Sequence, residues 1–292
     1  MNKNNDKSLH IVTLIIIVLG ILTSSIGLLY TTGGKAFDFV NQYGDTVKIY
    51  GDGLYARDSY LLASISRGTD FTIICVVIPM LIVALILDVK KKSLKNRLFL
   101  MSVISVFTYY SASIAFGVTY NMLHLVYITL FSASMFGLII AMGSLDKKQV
   151  EESMGDALPY KGICIFLALT GIALIVAWLP DIINSLFAGR SLELIEVYTT
   201  SVTYVLDMGV IAPTALICLF QLKKRRGMGY VLLAMLLTVC IIVGIMLPIQ
   251  TAFQVSAGIE LPFVAIVTKV ASFVILALFA LYFNIKFFKN MK

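Results

Sequence analysis

The chain alternates long apolar runs with short polar connectors. The runs cover approximately 11–29, 71–87, 98–116, 122–142, 162–179, 201–222, 228–247 and 262–283. Each approaches or exceeds the roughly 18 to 20 residues that a helix needs to cross a hydrocarbon core of about 30 Å. A helix satisfies its backbone polar groups internally, as lipid requires. The pattern therefore predicts an all-α integral membrane fold of eight transmembrane helices, a single membrane domain over 1–292. The longest polar stretch, 30–70, is too short to build its own core and must pack on that domain as an outer loop. Within it Tyr50-Gly-Asp-Gly-Leu-Tyr55 supplies turn chemistry. Ser59–Ser66 then alternates apolar and small residues, as an interfacial or re-entrant helix would.

Composition agrees: 59% of residues are apolar and 13% charged, about half the charge of a soluble chain. The net charge of +7 does not indicate nucleic acid, because the basic residues fall in clusters between apolar runs rather than along one face. The clusters are Lys3 and Lys7, Lys90 to Arg97, Lys147 to Lys161, Lys223 to Arg226, and Lys286 to Lys292. They alternate correctly with the eight crossings and hold most of the 23 basic residues on one side, so both termini are expected in the cytoplasm and the chain in the plasma membrane. The first run lacks an Ala-x-Ala site after it and is read as a retained span. Cys75, Cys164, Cys218 and Cys240 lie within apolar runs, without a Cys-x-x-Cys pair, which argues against a thiol-exchange enzyme.

The two halves, 1–148 and 149–292, are laid out alike. Asp70, an apolar stretch, Pro79 and the basic cluster from Lys90 correspond to Asp207, an apolar stretch, Pro213 and the cluster from Lys223. Asp58 precedes Asp70 by about the interval at which Glu196 precedes Asp207. This suggests a 4+4 parallel internal repeat about an axis along the membrane normal.

The segments Tyr50 to Ser59, Arg67-Gly-Thr-Asp70, Ala115 to Asn121 and Leu206 to Pro213, with Gly229-Tyr230, resemble a set of uncharacterised prokaryotic polytopic membrane proteins. The resemblance covers most of the chain and implies architecture, a bacterial origin included, but no activity, substrate or cofactor.

Ionisable groups within a span are expensive, about 2.5–3.5 kcal/mol on insertion scales, and mark candidate sites. At 1.5 Å per residue from the inner clusters, Asp207 and Lys269 lie roughly 24–25 Å from the inner interface and are expected to be able to pair. The structural alternatives are hydroxyl partners for Asp207, such as Tyr204 or Thr203, and a snorkelling Lys269. Asp70 can pair with Arg67 one turn earlier. His124 lies with Tyr120, Asn121 and Tyr127 near the outer end of the fourth run, and a single histidine builds no zinc site. Ser102, Ser105, Tyr109 and Ser113 form a polar stripe on the third run; Ala133, Gly137 and Ala141 form a packing stripe on the fourth. Phosphate loops, Gly-x-Ser-x-Gly elbows and dinucleotide fingerprints are absent from the sequence, so neither a catalytic residue nor a cofactor nor a metal is assigned.

The expected function is transport of a small solute or ion through an outward-facing ligand site of Asp70, Asp207, Lys269, His124, Asn121 and Tyr120. The alternative is a membrane sensor or assembly partner that binds a ligand or protein through Tyr55, Arg57, Asp58 and Arg67 of the outer loop. An intramembrane enzyme ranks third. The lipid bilayer is the expected partner, together with self-association into a homo-oligomer.

Overall fold

The computed structural model describes residues 3–155, 158–263 and 266–292; for residues 3–5, 266, 268 and 269 only the backbone is described. Its helices are α1 (Lys3–Leu29), α2 (Tyr60–Lys90), α3 (Leu94–Gly117), α4 (His124–Gly143), the short α5 (Lys147–Ser153), α6 (Tyr160–Ala188), α7 (Val202–Lys223), α8 (Gly227–Ser256) and α9 (Ser272–Asn290). Among the described residues, all but α5 are long and apolar enough to cross a membrane, which makes eight. A turn of π-helix, Ile266–Ala271, leads into α9.

The second span is longer than its apolar run. No separate interfacial helix forms over 59–66; Ser59 instead caps the start of α2, accepting from the Leu62 N–H at 3.1 Å. The helix runs on through the polar stretch because each polar side chain finds a partner. Ser64 and Thr69 donate back to the carbonyls of Tyr60 and Ile65, and Arg67 donates to the carbonyl of Leu28.

The rest of the outer segment is a hairpin of β1 (Phe37–Val40) and β2 (Thr46–Ile49), antiparallel with Phe37 opposite Ile49. Asn41 closes its turn by accepting from the N–H groups of Tyr43 and Asp45, and donates to the carbonyl of Glu196 at 2.6 Å. The hairpin is thereby tied to the loop between α6 and α7.

α1 packs on α2 and α4, and α3 packs on α2 and α4; in the second half α6 packs on α7 and α9, and α8 on α7 and α9. Between the halves α2 meets α8, α3 meets α7, and α3 meets α8. Each main contact of one half thus has its counterpart in the other. Small residues permit the close approaches. A Cβ on Gly68 of α2 would stand 2.7 Å from the Gln250 Cα of α8, and one on Gly244 of α8 would stand 2.0 Å from the Ala277 Cβ of α9. Gly137 sits against Val12 and Ile16 of α1, the packing role expected of its stripe.

The start of α1, the loops after α2 and α7, α5 and the residues after α9 share one end of the bundle. Asp6 meets Lys92, Glu151 accepts from the Gly227 N–H, and Met154 pairs with Met291. At the other end the segment 30–59 meets the loops after α3 and α6, and Tyr60 at the start of α2 donates to the Ala257 carbonyl just after α8.

Candidate functional site

Asp207 starts a π-helical turn, Asp207–Ile211, that ends two residues before Pro213. Pro213 has no N–H to donate, and its ring crowds the preceding turn, so the ladder widens. The Ala212 N–H donates to the Asp207 carbonyl five residues back. The same device precedes Pro79, where Ile73–Val77 is π-helical and the Ile78 N–H donates to the Ile73 carbonyl.

The Asp207 carboxylate takes the Tyr109 hydroxyl at 2.8 Å on one oxygen and the Trp178 indole N–H at 2.9 Å on the other. These partners come from α3 and α6. Tyr204 stacks on Trp178 with centroids 4.6 Å apart and donates its hydroxyl to Asp181, so the local hydroxyl partners expected from sequence are not the ones used. Each carboxylate oxygen keeps a further lone pair for another donor or a cation.

Beside Asp207 lies a cavity of about 60 Å³ between α3, α6, α7, α8 and α9, walled by Tyr109, Thr170, Leu174, Cys240 and Phe273. One water needs about 10–15 Å³ on this measure, so the space admits several waters or a small ion. The walls are mostly apolar. The Thr170 hydroxyl is buried and has no hydrogen-bond partner, which in a native interior calls for an occupant.

Asp70 sits elsewhere, between α1, α3 and the outer segment. Tyr55 and Tyr110 donate to it at 2.6 and 2.9 Å, and it makes no ion pair with Arg67 within 4.0 Å. Gly27 of α1 gives the carboxylate room, since a Cβ there would stand 2.0 Å from it. Adjacent tyrosines of α3 therefore serve the two acids, Tyr109 for Asp207 and Tyr110 for Asp70. The serines of the α3 stripe bond to backbone carbonyls of α3 itself, as in Ser102 to Leu98 and Ser113 to Tyr109.

Of the residues expected to form one outward-facing site, Asp70 and Asp207 are held by different partners. Tyr120 is exposed and lies against His124 with ring centroids 5.3 Å apart. Asn121 accepts from the Leu123 N–H and donates to Thr119 and Tyr127, which orders the turn before α4. Lys269 lies in the π turn before α9, and its pairing with Asp207 falls on a side chain outside the described residues.

In the outer segment Tyr55 and Asp58 point inward, while Arg57 is on the surface near the Tyr120 carbonyl. Asp58 accepts from the Thr119 N–H and the Tyr198 hydroxyl, both at 2.9 Å, on one oxygen; the other oxygen is buried without a partner. Burial pushes its carboxyl up to about 6. Glu196, raised by burial as well, accepts the Ser59 hydroxyl. Asp58 and Glu196 thus meet across Ser59 and Tyr198.

At the opposite end sits a cluster that sequence reasoning missed. Arg97, fully buried, binds Asp88 at 3.0 Å, Asp6 at 2.7 Å and Ser144 at 2.9 Å; Lys92 and His10 complete the set on Asp6 and Asp88. Read along the chain, these were loop charges and an orienting signal. The available clue was that Asp6 and Asp88 are acids placed within the basic flanks of two spans.

Comparisons with protein-family models, curated proteins and solved structures gave no match to this chain.

Proposed function

We propose that this chain transports a small solute or ion, and that the solute is a small cation received beside Asp207. The observation that carries this reading is the cavity: a buried carboxylate and a partnerless threonine hydroxyl share an apolar space sized for an ion or a few waters. An oxygen-rich pair in apolar walls favours a cation, because carboxylate and hydroxyl lone pairs replace part of its hydration shell. The π turn supports the assignment, since it interrupts the span at the acid itself, where displaced carbonyls add oxygen ligands. The corresponding π turn before Pro79 supports a 4+4 repeat, in which one half rocks against the other.

In this reading both termini and the basic loops lie in the cytoplasm of a bacterial cell, and the segment 30–59 faces outward at the plasma membrane. The outer-segment alternative has less support, because Tyr55 and Asp58 are buried, Tyr55 against Asp70 and Asp58 against the loop after α3.

The test uses purified protein in detergent at constant ionic strength, with lithium, sodium, potassium and ammonium against choline. One of the four is expected to raise the Tm saturably and to accumulate in proteoliposomes. Asp207→Asn is expected to abolish both effects, and Thr170→Val to weaken binding roughly tenfold. Undiminished binding in Asp207→Asn, or no response of the wild type to any of the four, overturns the reading.

A further inference from the structure

A second cavity, of about 160 Å³, lies at the outer end of the bundle under the hairpin, between α2 and the end of α8. It is walled by Tyr50, Tyr60, Ser64, Arg67, Phe253 and Ser256. Its chemistry is opposite to that of the Asp207 cavity. Arg67 donates to the Tyr50 hydroxyl at 2.5 Å and to the Leu28 carbonyl at 3.2 Å, which uses two of the five N–H groups of a guanidinium. Among the described residues no carboxylate oxygen lies within 4.0 Å of it; Asp70, one turn on, turns to Tyr55 and Tyr110 instead. The Lys48 ammonium stands 4.3 Å from the centre of the Tyr60 ring, which forms one wall. Tyr50, whose hydroxyl oxygen accepts from Arg67, keeps its own O–H proton to donate.

We infer that this cavity binds an oxyanion carrying a phosphate group, held by Arg67 and the Tyr50 hydroxyl, with Lys48 at its side. A half-buried guanidinium with three N–H groups to spare, no carboxylate oxygen within 4.0 Å and a cavity in front of it is matched by a tetrahedral anion, which takes paired N–H donors on adjacent oxygens. The hydroxyls of Tyr60, Ser64 and Ser256 donate to the carbonyls of Ala257, Tyr60 and Phe253, so the anion relies on the cations and Tyr50 rather than on a ring of hydroxyls. The volume holds a phosphate with part of its hydration. Two sources share this chemistry: free phosphate from the outer solution and a phospholipid headgroup, for which Phe253 and the neighbouring Phe71, 5.9 Å apart, offer an apolar shelf. The site stands apart from Asp207 and does not depend on the transport reading.

The experiment is binding to delipidated, detergent-solubilised full chain, read by native mass spectrometry and thermal shift. The probes are inorganic phosphate and dioctanoyl phosphatidylglycerol, with chloride at matched ionic strength as the control. Saturable binding of at least one probe is expected; phosphate binding identifies a soluble anion, and binding of the short-chain lipid alone identifies a headgroup. Arg67→Gln should weaken binding roughly ten- to a hundredfold, while Asp207→Asn leaves it intact. Should Arg67→Gln not fold, as judged by size exclusion and circular dichroism, Lys48→Gln decides. Lys48 is exposed, and its loss should weaken binding about two- to fivefold. Neither probe binding above the chloride control, or binding unchanged in the folded Arg67→Gln or in Lys48→Gln, overturns the inference.

Discussion

Asp58 shows how much one buried carboxylate is set by its surroundings. It is 1% exposed and keeps one oxygen unpaired, so burial outweighs the two hydrogen bonds that would favour its charge. Its carboxyl titrates at about 6 in the folded chain and near the ordinary aspartate value of 3.8 when unfolded. The folded chain therefore takes up the proton first. Stability rises as pH falls through about 6, is complete below the unfolded value, and is lost again as pH rises, by on the order of 1–3 kcal/mol. The Tm in detergent should climb between pH 7.5 and 5, and Asp58→Asn should reduce that slope while being no less stable than wild type at pH 7.5. Glu196 contributes a remaining slope of the same sign. An unaltered pH profile in Asp58→Asn would assign the slope to other groups. That Asp70 and Asp207 demand partners was legible in the sequence, since an acid among apolar residues is costly. Their partners were not. Tyr55 and Tyr110 lie 15 and 40 positions from Asp70, and Trp178, which donates to Asp207, lies 29 positions from it.

At the scale of the helices, sequence located all eight spans but placed the start of α2 about eleven residues late. Hydropathy sums side chains one at a time, and Ser64, Arg67, Thr69 and Asp70 lower it. The helix continues because those groups are satisfied by carbonyls, by tyrosines and, for Thr69, by Gln250 of α8. At Pro79 and Pro213, neither of which can donate an N–H to the helix ladder, the backbone forms a π turn just before each. Helix seams make a sharper demand. The Gly244 backbone lies so near Ala277 that any side chain must part α8 from α9. Gly244→Val should lower stability by about 1–3 kcal/mol, seen as a Tm several degrees below wild type in the same detergent. Gly143→Ala, where a Cβ meets nothing within 4 Å, should be nearly neutral. Equal Tm values for the two variants would mean that the α8–α9 seam yields freely.

For the molecule as a whole, one end gathers Arg97 with Asp6 and Asp88, and the other ties the hairpin to the loop after α6, Asp58 to the loop after α3 and Tyr60 of α2 to the residue that follows α8. With the basic clusters at the first end, a C-terminal fluorescent-protein fusion should fluoresce and an alkaline-phosphatase fusion there should be inactive. In a background without its native cysteines, Gly44→Cys in the exposed hairpin turn should react with an impermeant maleimide in intact cells. The opposite labelling would invert the topology. The number of crossings, the end at which the basic loops collect and the residues that lipid cannot leave unpartnered were all legible along the chain. These follow from local sums of hydropathy and charge, which need no knowledge of what lies alongside. Packing was needed to show that Asp70 and Asp207 are held by different partners, that Tyr120 is exposed beside His124, and that Arg67 faces a cavity whose walls carry no carboxylate. Helices solvated by lipid bear apolar residues on every side, so their hydrophobic pattern says little about which face turns inward. The meetings of side chains from distant spans depend on those rotations.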